Sequence, residues 1–275
     1  MKKILILLFL LISFKCFPCD CDSPNKALEF YSSQYVFEGI IKSKVYAKDS
    51  LTYKVTFDIL KHYKNGDAPK QLSFDLKSEA NYTKSWTSCD WSAHKGQKWL
   101  VYVYQYNGQA HFSGMCSNSR VLDNSPINAH EQKMLDSGNL FKIEDYIYDF
   151  QDDFNYCKNI TDINPILEKA TGKDYLKPFT VLSLHIDSEG NLKSIDFARY
   201  LMPNYDPIYG LTKEPLAYNY YNQITEFEKD AIELISQVKQ WEIKRHKGTK
   251  VNVPYLKYIS IEFDKNTNKW SYELR

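Results

Sequence analysis

The sequence predicts a β-rich α+β protein with two domains, a closed five-stranded antiparallel barrel followed by a β-β-α-β domain. Three observations carry that expectation. Apolar and polar residues alternate with a period of two through 51–59, the mark of a strand with one dry face. With 22 Tyr and 15 Phe against 10 Gly, the composition favours strands over disorder. A helix with one apolar face lies between a hairpin and a long strand in 179–263. The chain divides into residues 1–18, a signal peptide; 19–140, the barrel; 141–174, a linker with a short helix; and 175–275, the β-β-α-β domain.

Met1-Lys2-Lys3 is a short basic start, and Ile4 to Phe14 is apolar apart from Ser13, the pattern of a secretory signal. That run is too short to cross a bilayer as a permanent helix, and no other run approaches membrane length. The predicted location is therefore periplasmic or extracellular, with no stable membrane span. A lipid on Cys16 is disfavoured, because Lys15 stands where a small residue precedes an acylated cysteine. The signal carries Lys2, Lys3 and Lys15 and no acid, which leaves 32 basic against 34 acidic residues. Near-neutral charge without a basic block argues against nucleic acid as a partner.

Within the barrel, Tyr35 to Tyr46 is the first strand. Leu51, Tyr53, Val55, Phe57 and Ile59 form the apolar face of the second, across a turn at Asp49-Ser50. Lys64-Asn65-Gly66-Asp67 is a turn before Leu72 to Leu76. Trp99 to Tyr106 reads as a central strand, and Ala110 to Cys116 with Arg120-Val121-Leu122 completes the set. Closure removes the exposed edges of such a sheet. A helix over Pro126 to Met134, capped by Ser125, follows, and the polar stretch Glu144 to Asn159 reads as the domain boundary.

In an exported protein thiols pair, and each bridge is worth roughly 2–4 kcal/mol. Cys19 and Cys21 point to opposite faces of an extended segment, so each needs a distant partner, and Cys89 and Cys116 are the two on offer. Cys157 is the odd thiol, expected to be buried or free.

Cys19-Asp20-Cys21, Ala27, Ser33 to Gly39, Cys89, Gly96 to Tyr102 and Gly114-Met115-Cys116-Ser117 together resemble the netrin-type module and, within it, the tissue inhibitors of metalloproteinases (TIMPs) and their bacterial relatives. The resemblance covers about residues 19–135. It implies an OB-fold barrel with bridges Cys19 to Cys89 and Cys21 to Cys116. Tyr31 stands where those inhibitors have a further cysteine. The resemblance also implies that a freed Cys19 amine and carbonyl would chelate the zinc of a metalloprotease, with the next side chain entering the specificity pocket. Asp20 would then put a carboxylate into an apolar pocket, which weighs against inhibition and for a purely structural staple.

The second domain opens with a helix over Ile163 to Ala170, ended near Gly172. A hairpin follows, Phe179 to Ile186 and Leu192 to Tyr200 around Asp187-Ser188-Glu189-Gly190-Asn191. After a long Tyr-, Pro- and Asn-rich loop, Thr225 and Glu228 form a capping box. Phe227, Ala231, Leu234, Ile235 and Val238 share one helical face that Trp241 closes. Lys247-Gly248-Thr249 turns into a strand from Val251 to Phe263. This order, with Ile186 to Leu192, Ala231, Gln240-Trp241, Gly248, Val251-Asn252-Val253 and Ile259 to Phe263, resembles the C-terminal domain of TonB-type proteins over about residues 175–265. Glu242-Ile243 departs from the proline usual there. Because the anchor and proline-rich spacer of energy transducers are absent, the surviving implication is capture of a protein strand at a sheet edge, at Val251, Val253, Ile259 and Ile261.

No nucleophile-base pair and no paired metal spacing is visible. His62, His94, His111, His130, His185 and His246 are scattered, and Asp152-Asp153 lacks an acidic partner. The predicted function is therefore non-enzymatic, with no catalytic residue, cofactor or metal: an exported binding protein of a bacterial envelope with an unidentified protein partner. The alternative is a metalloprotease inhibitor acting through Cys19 and Asp20.

Overall fold

The computed structural model describes residues 21, 23–149, 153–157, 162–217 and 224–274. The expected signal peptide, Cys16, Cys19, Asp20 and Asp152 lie outside them. The fold is β-rich α+β, and the chain divides into two compact units after Leu140, each with its own apolar core.

In the first unit, α1 (Lys26–Ser32) forms where the sequence reading placed no helix. Asn25 starts it, its Oδ1 accepting the Ala27 and Leu28 N–H groups. β1 (Tyr35–Tyr46) and β2 (Thr52–His62) pair antiparallel, and Tyr53, Val55 and Phe57 are buried as the alternation requires. Then come β3 (Gln71–Lys77), α2 (Ala80–Thr83), β4 (Lys98–Tyr106), β5 (Gln109–His111), β6 (Arg120–Val121) and α3 (Ala129–Ser137). The sheet order is β3-β2-β1-β4-β5, with β6 also on β4. Among the described residues no ladder closes this sheet into the expected barrel, because the end strands β3 and β5 approach one another without pairing. The strand expected over Ala110 to Cys116 stops at His111. Beyond it the backbone turns, and Cys116 has a φ of 54°. The helix expected from Pro126 starts at Ala129, since Asn128 rather than Ser125 caps it by accepting the Glu131 N–H.

The second unit holds β7 (Phe154–Cys157), α4 (Asn164–Leu167), β8 (Phe179–Ile186), β9 (Leu192–Phe197), β10 (Leu201–Tyr205), β11 (Thr212–Ala217), α5 (Glu226–Ser236), β12 (Ile243–His246), β13 (Asn252–Val253), β14 (Tyr255–Asp264) and β15 (Lys269–Leu274). They form a four-stranded sheet β15-β14-β8-β9, a three-stranded sheet β13-β12-β7 and the hairpin β10-β11. Phe227, Ala231, Ile235 and Val238 share one core with Leu182, Leu184, Ile259 and Ile261, so α5 packs on the four-stranded sheet. Its capping box is complete, with Thr225 and Glu228 bonded reciprocally. Trp241 lies beyond the helix, buried, its indole N–H donating to the Val238 carbonyl at 3.0 Å.

Three expectations change here. The stretch read as a linker contributes to the core: Ile143, Tyr148, Phe154, Ile163 and Leu167 are buried, and β7 pairs with β12. The long loop contains the β10-β11 hairpin. The strand expected from Val251 to Phe263 is cut by Pro254, which has no N–H to give a ladder, so Val253 pairs with Lys244 in one sheet while β14 begins another.

That cut also moves the expected strand-addition edge. Ile259 and Ile261 sit on β14, with Leu182 and Thr180 of β8 on one side and Leu274 and Tyr272 of β15 on the other. Both hydrogen-bonding edges of β14 are therefore taken. Val253 lies in the two-residue β13, and Val251 precedes it, its carbonyl accepting the His246 N–H. The outer strands of the four-stranded sheet are β9 and β15.

Candidate functional site

One end of the first unit gathers three segments that the sequence separates widely. Cys21 is bonded to Cys116, 95 positions on, with the two Cα atoms 5.4 Å apart. Around that bridge the backbone is clamped by hydrogen bonds. Glu29 on α1 accepts from the Ser117 hydroxyl, from the Asn118 N–H at 2.8 Å and from the Asn118 side-chain amide, which also donates to the Pro24 carbonyl at 2.9 Å. Arg120 and Lys26 both reach Glu131, which is 1% exposed, and so tie α1, β6 and α3 together. Burial pushes the Glu131 carboxyl up, and the Arg120 and Lys26 cations outweigh it, holding the group below the usual carboxylate range.

The loop after α2 joins this end through Trp91. Its ring packs on Trp99 and Phe112, with centroids 5.7 and 5.3 Å away. A Cβ on Gly114 would lie 2.8 Å from it, so the two loops meet closely only because residue 114 is glycine. Cys89 in the same loop is also disulfide-bonded. Its expected partner, Cys19, is outside the described residues, as is Asp20.

Beside that loop is a small pocket of about 100 Å³ lined by Tyr53, Ser78, Glu79, Cys89, Asp90 and Trp91 among others. The Ser78 hydroxyl is buried without a hydrogen-bond partner. Lys44 pairs with Glu79, the Tyr46 hydroxyl donates to Glu79 at 3.0 Å, and the Lys44 ammonium lies 4.0 Å from the Tyr53 ring centre. The Tyr46 ring, bonded to this neutralised pair, meets the Tyr82 ring in a tilted contact at 4.9 Å. Val45 and Leu51 on the same hairpin are exposed, and Trp86 in the loop after α2 is 77% exposed. Sequence reasoning passed over Trp86 and Tyr82. The available signal was a tryptophan flanked by Lys84, Ser85, Thr87 and Ser88, with no apolar neighbour to pack against.

The second unit buries charge. Lys244 is 1% exposed, its ammonium held by the Asp149 carbonyl and within 6 Å of the Phe154, Tyr156 and Tyr255 rings at 5.5, 5.3 and 5.8 Å. Burial pulls its pKa down to about 8. Lys257 and Glu242 beside it form a buried ion pair at 2.8 Å. Among the described residues no helix is long and apolar enough to cross a membrane, and no three His, Cys, Asp or Glu side chains come together to hold a metal ion. No protein-family model and no curated protein matches the chain.

Proposed function

We propose that the chain is an exported, non-enzymatic protein-binding module whose first unit is a netrin/TIMP-like OB-fold and whose second is a TonB C-terminal-like domain. The observation that carries this reading is the Cys21–Cys116 bond, which secures the start of the described chain beside a loop that displays Trp86. A disulfide of this kind fits an oxidising compartment. The end strands β3 and β5 approach one another, as the rim of an OB-type barrel requires, and β8, β9, α5 and β14 follow the TonB-like order with β8 between β9 and β14.

An exposed tryptophan in the loop after α2, together with the exposed Tyr46–Tyr82 pair at the Lys44–Glu79 ion pair, suits a protein partner: aromatic anchors supply most of the energy in such interfaces. Site-specific photocrosslinking from position 86 tests this in the producing cell. A discrete adduct from position 86, absent when the probe sits at Lys133 on α3, is expected; no adduct from position 86 counts against a partner at this surface.

The second reading, inhibition of a zinc metalloprotease, is favoured by the same bond, which is one of the two pairings that the TIMP resemblance implies. Mapping the mature N-terminus by mass and assaying a panel of zinc proteases before and after acetylating that amine distinguishes the two. A chain starting at Cys19 whose inhibition is lost on acetylation supports chelation. A chain starting upstream removes it.

A further inference from the structure

Lys244 and His246 stand two residues apart on β12, so both point to one face, and each has a partner on β7: Tyr156 opposite Lys244 and Phe154 opposite His246. Both are buried, at 1% and 2% exposure. The Phe154 ring lies 5.5 Å from the imidazole and 4.4 Å from Tyr148. His246 also organises the turn into β13. Its Nδ1 accepts the Thr249 N–H at 3.1 Å and lies 3.0 Å from the Thr249 hydroxyl, while its backbone bonds with Val251 and Lys250.

A ring nitrogen that accepts a backbone N–H has no room for a proton of its own. The geometry therefore requires a neutral imidazole with its hydrogen on Nε2. Burial pushes the group further from protonation, Asp153 favours the charged form, and Lys250 opposes it. The remaining charges on this side are already committed. Glu242 is paired with Lys257, and the Lys244 ammonium, held by the Asp149 carbonyl, is a cation two residues away on the same face. Asp149 itself lies close enough to favour the charged Lys244.

We propose that β7 is an acid-released strap. A proton on His246 Nδ1 breaks the bond from Thr249 and sets a second cation beside Lys244 beneath Phe154 and Tyr156. β7 then leaves β12. Release uncovers Lys244 and Tyr255, whose ring now meets Tyr156 at 5.4 Å, and so presents an aromatic and cationic surface that is dry at neutral pH.

Amide hydrogen exchange on the whole chain at about pH 7.5 and about pH 5, corrected for intrinsic rates, tests this. Protection in β7 and across 243–253 should fall by about tenfold if the His246 pKa is depressed by one unit, and by up to about thirtyfold if by more, while β8 and β14 keep theirs. In His246→Gln, whose amide oxygen accepts the same N–H without titrating, protection should persist at the lower pH. Equal protection at the two pH values, or the same loss in His246→Gln, overturns the proposal. Should that variant not fold, an NMR titration of His246 in the unmodified protein decides. A pKa at or above about 6.5 overturns the strap, and a lower one that coincides with the exchange midpoint supports it.

Discussion

Lys244 sets two forces of opposite sign on one side chain. An ammonium taken out of water costs several kcal/mol, and one carbonyl, three aromatic faces and the nearby Asp149 charge offset part of that cost. Lys64 is in a similar position, its ammonium donating to the Phe30, Tyr31 and Ser33 carbonyls at the end of α1 and its pKa pulled down to about 8 by burial. Below pH 8 both lysines are charged in the folded and the unfolded chain, and the full burial cost is present. Between about 8 and 10.5 the folded chain has released protons that the unfolded chain keeps, so stability rises with pH. Above about 10 the sign reverses, because burial raises the Tyr63, Tyr102 and Tyr255 hydroxyls and the unfolded chain ionises first. Urea midpoints should therefore peak between about pH 9 and 10, and Lys244→Met should raise the pH 7 midpoint by the equivalent of about 1–3 kcal/mol. A lower midpoint for Lys244→Met would show that the carbonyl bond and ring contacts outweigh the desolvation. Gly172 makes a simpler case: a Cβ there would lie 1.9 Å from the Phe263 ring. Gly172→Ala should cost about 3 kcal/mol, read as a lower thermal midpoint.

At the scale of elements, local chemistry was readable and non-local pairing was not. The capping box of α5 stands in the sequence as Thr225 and Glu228, and both reciprocal bonds form. Thr225→Ala should lower stability by about 1 kcal/mol in thermal unfolding, because one N-terminal N–H loses its acceptor. A larger loss would point to Glu228, which also binds Arg199 at 2.6 Å and depends on Thr225 for its orientation. The β1-β2 hairpin was legible for the same reason, since alternation and a short turn act within about two dozen residues. β7 and β12 were not. Each is four residues long, they lie about ninety positions apart, and no period can be counted over so short a run. Pro254 was visible but its effect was missed, and with it the placement of Val253, Ile259 and Ile261. The candidate site divides in the same way. The cysteines announce one end of the sheet, whereas Trp86, Tyr82 and the Ser78 pocket are brought there by folding alone.

For the whole molecule, the question is how far a single covalent tie reaches. Cys21 and Cys116 close a loop with a separation of 95 residues, and a loop of about that length restrains the unfolded chain by roughly 4–5 kcal/mol in the chain-entropy model. Both ends lie in the first unit, as does Cys89. Among the described side chains, the core cluster of the second unit contains no cysteine. Breaking the tie should therefore lower the stability of the first unit and leave the contacts of the second intact. Calorimetry of Cys21→Ser/Cys116→Ser should show a transition for the first unit displaced downward by many degrees and a second transition that stays in place. Hydrogen exchange supplies the assignment, with loss of protection in β1, β2 and β4 but not in β8 and β14. If both units instead lose protection together, they unfold as one cooperative body and the tie stabilises all of it. The double serine variant makes this comparison cleaner than a reductant, because a reductant would also open the bridge at Cys89.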